Sequence, residues 1–236
     1  MFPMEVRANL SKEATAVAQM FDEVSPRYDI TNTILTFGQV FAWRAAVTRA
    51  VQVRPGMKVL DLACGTGAST ASLAKAGADV TGCDFSAGMI REGLRRRPHL
   101  NLIQGDAMDL PFEDETFDAV TMSYGLRNVQ NPMRALEEMY RVVRPGGHLV
   151  VAEFSTPRSQ PMHSLYSFYI TRILPTISRV VSSDGVAYDY LHESIMDWPD
   201  KDELSLMIEE GGWSDVSWRP LSFGTVAIHR GIRPAI

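Results

Sequence analysis

The stretch Val59–Gly67, VLDLACGTG, constrains this chain more than any other. Val59 and Leu60 open an apolar run too short for a helix; Asp61 follows, and Gly65-Thr66-Gly67 breaks it. Ala68 to Ala76 then continues in small, helix-compatible residues. Strand, tight glycine turn and helix in that order open a doubly wound α/β unit. Gly65 and Gly67 let a ligand touch the backbone where a Cβ would block it, and the helix behind them offers free N–H groups. The dinucleotide fingerprint is not met: G-x-G-x-x-G needs a third glycine, and this turn reads G-T-G-A-S-T. A carboxylate at Asp61, beside the turn, is a poor host for pyrophosphate. It is a good host for a ligand carrying an ammonium and a sulfonium, and that chemistry is S-adenosylmethionine (SAM).

The 236 residues are read as a single domain, 1–236, large enough for a sizeable core. A net charge of -5 leaves no basic footprint, which argues against nucleic acid as a partner. The two cysteines, Cys64 and Cys83, make no disulfide framework, and the five histidines lack metal-ligand spacing, so no metal is expected. Met1–Leu10 has no apolar core of a signal peptide, and no run reaches the length of a membrane span. A cytoplasmic protein follows, with room for peripheral contact on the inner face of a membrane.

Residues 1–56 read as an N-terminal helical addition. Ser11–Val24 is a helix stopped by Ser25-Pro26, the segment from Arg27 to Asn32 is polar, and Phe41–Val53 is a second helix. Tyr28 could cover a bound ligand. The second strand, Asp79–Asp84, ends in a carboxylate placed to accept from two ribose hydroxyls, a device that nicotinamide sites share. Ser86 caps a helix over Ala87–Arg97. After the third strand, Leu100–Gln104, Asp106 can accept from the exocyclic amine of adenine, and the Ala107 N–H can donate to a ring nitrogen. The fourth strand, Phe117–Ser123, delivers Tyr124, Arg127 and Asn128 to the carboxyl end of the sheet, where open parallel sheets hold ligands. The helix Pro132–Val143 ends at Arg144-Pro145-Gly146-Gly147, a sharp turn into the fifth strand, His148–Phe154. Residues 156–199 read as a cap insertion with a high apolar load between Tyr166 and Val181. A helix over Lys201–Gly211 and two strands, Trp213–Arg219 and Phe223–His229, close the chain as a hairpin.

VLDLACGTG, GCDFS, GDAMDLPF and RPGG together resemble the class I SAM-dependent methyltransferases. Longer stretches extend the likeness over nearly the whole chain: Arg27-Tyr28-Asp29 with Asn32, Trp43-Arg44, Phe117–Val129 (FDAVTMSYGLRNV), Glu153-Phe154-Ser155, Tyr190–Ile195 (YLHESI) and Gly224–Gly231 (GTVAIHRG). The set resembles the menaquinone/ubiquinone biosynthesis C-methyltransferases. That resemblance implies a Rossmann-like seven-stranded sheet, order 3-2-1-4-5-7-6, mostly parallel with the last strand antiparallel. It implies SAM as methyl donor, with contacts at Thr66, Asp84, Asp106, Ala107 and Ser123. One departure is Ala68, where many members carry Asp directly after GTG; the anchoring of the methionine end is left open.

The implied acceptor is a ring carbon of a polyprenylated quinol, demethylmenaquinol first, with a benzoquinol as the other ring. Such a reaction needs a developing phenolate held electrostatically, and Arg127 is the first choice for that role, with Asn128 orienting the ring oxygen or the turn. Tyr188 and His192 are candidates for substrate contact; for a base, His192, Tyr188 and His229 are weak candidates, and His229 lies within a predicted strand. The apolar cap could meet the prenyl tail, a membrane surface or a second copy in a homodimer. Two other readings stand beside this one: a methyltransferase acting on another small molecule, and a non-catalytic SAM-binding subunit of a biosynthetic complex.

Overall fold

A computed structural model of the chain describes residues 12–173 and 186–235. Its centre is a seven-stranded sheet in the order β3-β2-β1-β4-β5-β7-β6. The strands are β1 (Lys58–Leu62), β2 (Asp79–Asp84), β3 (Asn101–Gln104), β4 (Phe117–Ser123), β5 (Val143–Phe154), β6 (Ser214–Leu221) and β7 (Val226–Ile232). Pairs from β3 through β5 are parallel, while β7 runs antiparallel to both β5 and β6. The expected order and the reversed last strand are both present.

Side-chain alternation assigns the two faces. Leu60, Leu62, Val120, Met122, Leu149 and Val151 pack on one face, with Leu136 and Met139 of α6 (Pro132–Val142) and Ile208 of α9 (Lys201–Glu210). Val59, Ala119, Val150 and Ala152 pack on the other, with Val47 and Val51 of α3 (Gln39–Val51) and Leu73 of α4 (Ala68–Lys75). Asp61 falls in this second register. It is fully buried and faces α4, where Ser69 and Thr70 hydroxyls each donate to its Oδ2 at 2.7 Å. Helix α5 (Ala87–Arg96) is capped by the Ser86 hydroxyl, and α6 by the Asn131 side chain with Pro132 in its first turn.

The remaining helices roof the carboxyl ends of the strands. They are α1 (Ala14–Val24), α2 (Tyr28–Leu35), α7 (Gln160–Phe168), which runs into a wider turn over Tyr169–Ile173, and α8 (Val186–Met196). Tyr190 of α8 packs against Ala16, Val17 and Met20 of α1, while Ile170 and Ile195 pack against Leu35 of α2. Leu174, Ile177, Val180 and Val181 of the apolar cap lie outside the described residues.

Two expectations are corrected. The polar segment after Pro26 is helical: α2 carries Asp29 inward, where its carboxylate accepts from the Thr66 hydroxyl and from Arg96 at 3.0 Å. Its polar residues bind protein, so the sequence shows no solvent-facing stripe. The fifth strand begins at Val143, not His148. Val143 pairs with Phe117, the register then shifts, and Gly146-Gly147 form a bulge bonded to Arg233. A Cβ on Gly147 would lie 2.6 Å from the Asp118 carbonyl oxygen, so glycine is required there.

Candidate functional site

Two cavities open at the carboxyl ends of β1, β2, β4 and β5, and they share Phe21, Tyr28, Tyr124 and Asn128 as walls. The narrower encloses about 120 Å³ and is lined by Gly65, Asp84, Asp106, Ala107 and Ser123. Cofactor pockets usually exceed roughly 300 Å³; this one is tight because α1 closes on it. Asp22 of α1 accepts from the Ser86 hydroxyl and, at 2.8 Å, from the Gly88 N–H.

The polar groups in and behind this pocket fit the parts of SAM. Asp84 spans the turn, its Oδ2 accepting from Gly65 N at 2.8 Å and its Oδ1 from Ser86 N at 2.9 Å. Burial raises its pKa. Asp106 accepts from Met108 N, which fixes the loop that carries Ala107. Behind the turn, Asp61 Oδ1 is buried and has no partner among the described residues. A buried carboxylate oxygen left open in this way suits a ligand ammonium. Burial pushes the Asp61 pKa up to about 6. Thr66 and Gly67 do not line the pocket. The Thr66 hydroxyl is given to Asp29, and its carbonyl accepts from Arg97 at 2.9 Å. Gly67, at φ +79°, starts α4 with no room for a side chain against Leu100 and Leu102.

The wider cavity encloses about 1010 Å³ between the N-terminal helices and the cap. Most of its lining is apolar or aromatic, including Leu35, Val40, Trp43, Phe154 and Ile170. Unpartnered polar atoms line it as well, those of Tyr124 and Asn128 on the wall shared with the narrower cavity. The hydroxyls of Tyr124, Tyr166 and Tyr190, Arg127 Nε and Asn128 Oδ1 are all buried, and none has a partner among the described residues. Burial raises the pKa of all three tyrosines, which keeps them protonated as donors.

Arg127 lies in a buried ion pair. Its Nη1 donates to Glu153 Oε1 at 2.8 Å and to the Tyr124 carbonyl at 2.5 Å, and its guanidinium stands 5.0 Å from the Phe154 ring. Glu153, at the end of β5, is buried and also accepts from Phe154 N. Asn128 Nδ2 reaches the Tyr124 carbonyl only at 3.5 Å. Tyr124 itself sits at φ +59°, a costly conformation for a bulky residue, and is clasped between Trp43 and Phe154.

Among the expected substrate residues, Tyr28 borders both cavities. The Tyr188 and His192 side chains lie outside the described residues, although the backbone of α8 that carries them is described. His229 is buried on β7 with its ring on the Lys201 carbonyl, away from both cavities. Cys64 and Cys83 are free, buried thiols, and burial pushes the Cys83 pKa up to about 12. Sequence reasoning gave no polar role to Glu153, Tyr166 or Tyr190, and placed Tyr166 only in the apolar cap region expected to meet the tail. Glu153 and Tyr190 stand in the motifs EFS and YLHESI; Tyr166 carries no comparable signal.

The strand order, the single reversed strand and the carboxylates at three successive strand ends define a class I SAM-dependent methyltransferase. Solved structures support that fold. The [4+2]-cyclase SpnF aligns at TM-score 0.69 with 20% identity, covering 98% of this chain and 99% of that one. A SAM-dependent methyltransferase from Thermotoga maritima aligns at 0.64 with 20% identity, covering 91% and 99%. The profile of the ubiE/COQ5 methyltransferase family matches residues 8–233, and the chain belongs to that family. Its relatives include the demethylmenaquinone methyltransferases of Paenarthrobacter aurescens, 52% identical over 97% of this chain and 90% of the relative, and of Beutenbergia cavernae, 54% identical over 95% and 93%.

Proposed function

We propose that the chain transfers a methyl group from SAM to a ring carbon of a polyprenylated quinol, with demethylmenaquinol as the preferred acceptor. The observation that carries this reading is the 1010 Å³ apolar cavity, which meets the narrower pocket at Tyr124 and Asn128 and is lined by buried polar atoms of Tyr124, Arg127, Asn128, Tyr166 and Tyr190 that have no partner among the described residues. A prenylated ring matches both features: the tail fills the apolar volume, and the ring oxygens face those polar atoms. Relatives at about half identity that are named demethylmenaquinone methyltransferases support the same acceptor.

When bound, SAM supplies a methyl group already activated by its sulfonium. The protein has two tasks. It aligns ring carbon and methyl across the Tyr124 wall, and it favours the phenolate that makes the ring carbon nucleophilic. Arg127 and the hydroxyls of Tyr124, Tyr166 and Tyr190 surround the place where that oxyanion would develop. The carbon–methyl bond would form as the sulfur–methyl bond breaks and sulfur keeps the bonding pair; the ring carbon would then give its proton to water, and the ring would become aromatic again. Asn128 and Tyr28 hold the ring edge at the junction; Tyr188 and His192, carried by α8, are assigned to substrate contact. Asp84, Asp106, Ala107 and Ser123 line the narrower cavity and are assigned to the cofactor, with Gly65 allowing its close approach; Thr66, whose hydroxyl is given to Asp29, and Gly67, packed on Leu100 and Leu102, shape the turn beneath it, and Asp61 is assigned to its ammonium.

Methyl transfer from labelled SAM tests the reading, with a reduced demethylnaphthoquinol and a demethoxybenzoquinol offered separately in detergent. Ring methylation of the naphthoquinol is the expected result. Transfer to neither, with SAM binding intact, would overturn it in favour of another acceptor or a non-catalytic subunit.

Among the described residues no helix is long and apolar enough to cross a membrane. The cavity mouth, however, is rimmed by Phe37, Leu165 and Phe223, which are 70%, 59% and 81% exposed while also lining the cavity. Phe37 at φ +49° and Phe223 at φ +59° hold strained backbones that present these rings. We assign this rim to a lipid surface, the source of the tail. The double variant Phe37→Ser/Phe223→Ser should lose flotation with liposomes while keeping SAM affinity; unchanged flotation would reject the assignment.

A further inference from the structure

Trp43, on α3, links the rim of the wide cavity to the wall it shares with the narrow one. At the rim, the buried indole donates from Nε1 to the Ser222 hydroxyl at 2.7 Å, and that hydroxyl donates in turn to Gln39 Oε1. Ser222 precedes Phe223 in the turn between β6 and β7, and both hold left-handed backbones, at φ +46° and +59°. Inside, the same indole stands 5.9 Å from the Tyr124 ring and edge-on to Phe154 at 6.4 Å, while Tyr124 and Phe154 lie 5.2 Å apart. Trp43, Tyr124, Phe154, Gln39 and Ser222 all line the wide cavity, and Tyr124 alone of the five also lines the narrow one.

The Tyr124 ring depends on these neighbours. Its backbone is tied, the N–H donating to the Ala152 carbonyl at 2.8 Å and the carbonyl accepting from Arg127. Its hydroxyl has no partner among the described residues, so no hydrogen bond fixes the ring, and its aromatic contacts there are Trp43 and Phe154. Of those two, only Trp43 has a polar tip. A buried indole N–H seeks a partner and takes its orientation from it, and that partner here is Ser222.

We propose that Trp43 is a positioning residue for methyl transfer: Ser222 fixes the indole at the rim, the indole fixes the Tyr124 ring, and that ring sets the approach of the acceptor to the methyl donor. The proposal rests on the reading of the two cavities as acceptor and cofactor sites. It gives the strained β6–β7 turn a second task besides presenting Phe223.

Steady-state kinetics of Ser222→Gly, Ser222→Ala and Trp43→Phe test it, with demethylnaphthoquinols that carry a short prenyl tail or none. Glycine removes the hydroxyl and relieves the left-handed backbone, whereas alanine removes the hydroxyl and keeps the strain. Each variant should lower kcat about 10- to 100-fold, the range for a small misplacement of reacting groups, and should do so for both acceptors. The loss should fall on kcat more than on KM, and affinity for S-adenosylhomocysteine should hold, because Trp43 and Ser222 line only the wide cavity. In a proton–nitrogen spectrum the Trp43 indole signal, identified by its loss in Trp43→Phe, should move in both Ser222 variants.

Wild-type kcat in both Ser222 variants would overturn the proposal, whether or not that signal moves. A raised KM with kcat kept, confined to the tailed acceptor, would make Trp43 and Ser222 parts of the tail site and overturn it too. So would a loss in alanine that glycine restores, which belongs to the backbone of the turn, or a loss of S-adenosylhomocysteine affinity in step with kcat, which belongs to the fold. Wild-type protein that methylates neither quinol would overturn the acceptor reading and this proposal with it; active wild type beside any of the other results overturns this proposal alone.

Discussion

Replacing Arg127 and Glu153 together by glutamine should lower kcat by about 10²- to 10³-fold, the usual loss when a preorganised group at a developing oxyanion is removed. Affinity for S-adenosylhomocysteine should stay within about twofold, because neither residue lines the cofactor pocket. The double variant is the informative one. Arg127 and Glu153 are both buried, and their pair also ties down the Tyr124 carbonyl. Arg127→Ala alone strands the Glu153 carboxylate, a loss of about 3–5 kcal/mol for a buried pair broken on one side. Lost activity would then be confounded with lost fold. Two glutamines remove both charges and retain hydrogen-bonding groups of similar size. Glu153→Gln alone is the companion: it leaves the cation but frees its position, so kcat should fall less than in the double variant. If the double variant folds, binds S-adenosylhomocysteine and turns over at the wild-type rate, Arg127 is only the brace of the loop after β4.

The frame of this molecule is legible in its sequence because the relevant signals are local. VLDLACGTG encodes strand, turn and helix within one short stretch, and the carboxylates Asp84 and Asp106 announce themselves at strand ends. What the sequence hides depends on distance or on disguise. Tyr124, Tyr166 and Tyr190 reach one cavity from the end of β4, from α7 and from α8, and no periodicity connects those elements. Arg127, in the loop after β4, and Glu153, near the end of β5, each look like an isolated charge until β4 and β5 pair in parallel and bring their ends together. Helix α2 is disguised because Asp29 spends its polarity on Thr66 and Arg96 instead of on water. The bulge at Gly146-Gly147 is disguised because two glycines after a proline read as a turn, whereas here they carry β5 across a register shift.

Asp61→Asn should stabilise the free protein and disable it. The folded pKa of Asp61, about 6, lies above its ordinary value of 3.8, and burial is the main cause. The sign follows from linkage: between those two values the folded state holds the proton more tightly than the unfolded chain, so stability falls as pH rises through that window. Above about pH 6 the cost is complete, on the order of 3 kcal/mol for a shift of about two units. Asparagine carries no charge to desolvate, and its oxygen can still accept from Ser69 and Thr70. The unliganded variant should therefore melt several degrees higher than wild type at pH 7–8, and the difference should shrink below pH 6. Binding should move the other way. On the proposed assignment the ammonium of the SAM amino-acid arm loses its anionic partner, so affinity should weaken about 10- to 100-fold, and the rise in Tm on adding S-adenosylhomocysteine should shrink accordingly. Wild-type affinity should itself decline as pH drops through 6 and Asp61 takes up a proton. A variant that melts higher yet binds S-adenosylhomocysteine as wild type does would show that the ammonium is held elsewhere. A variant that melts lower would show that the charge on Asp61 stabilises the turn rather than straining it. The expected pattern, greater stability with weaker binding, is that of a fold which keeps an unpaired buried charge for its ligand.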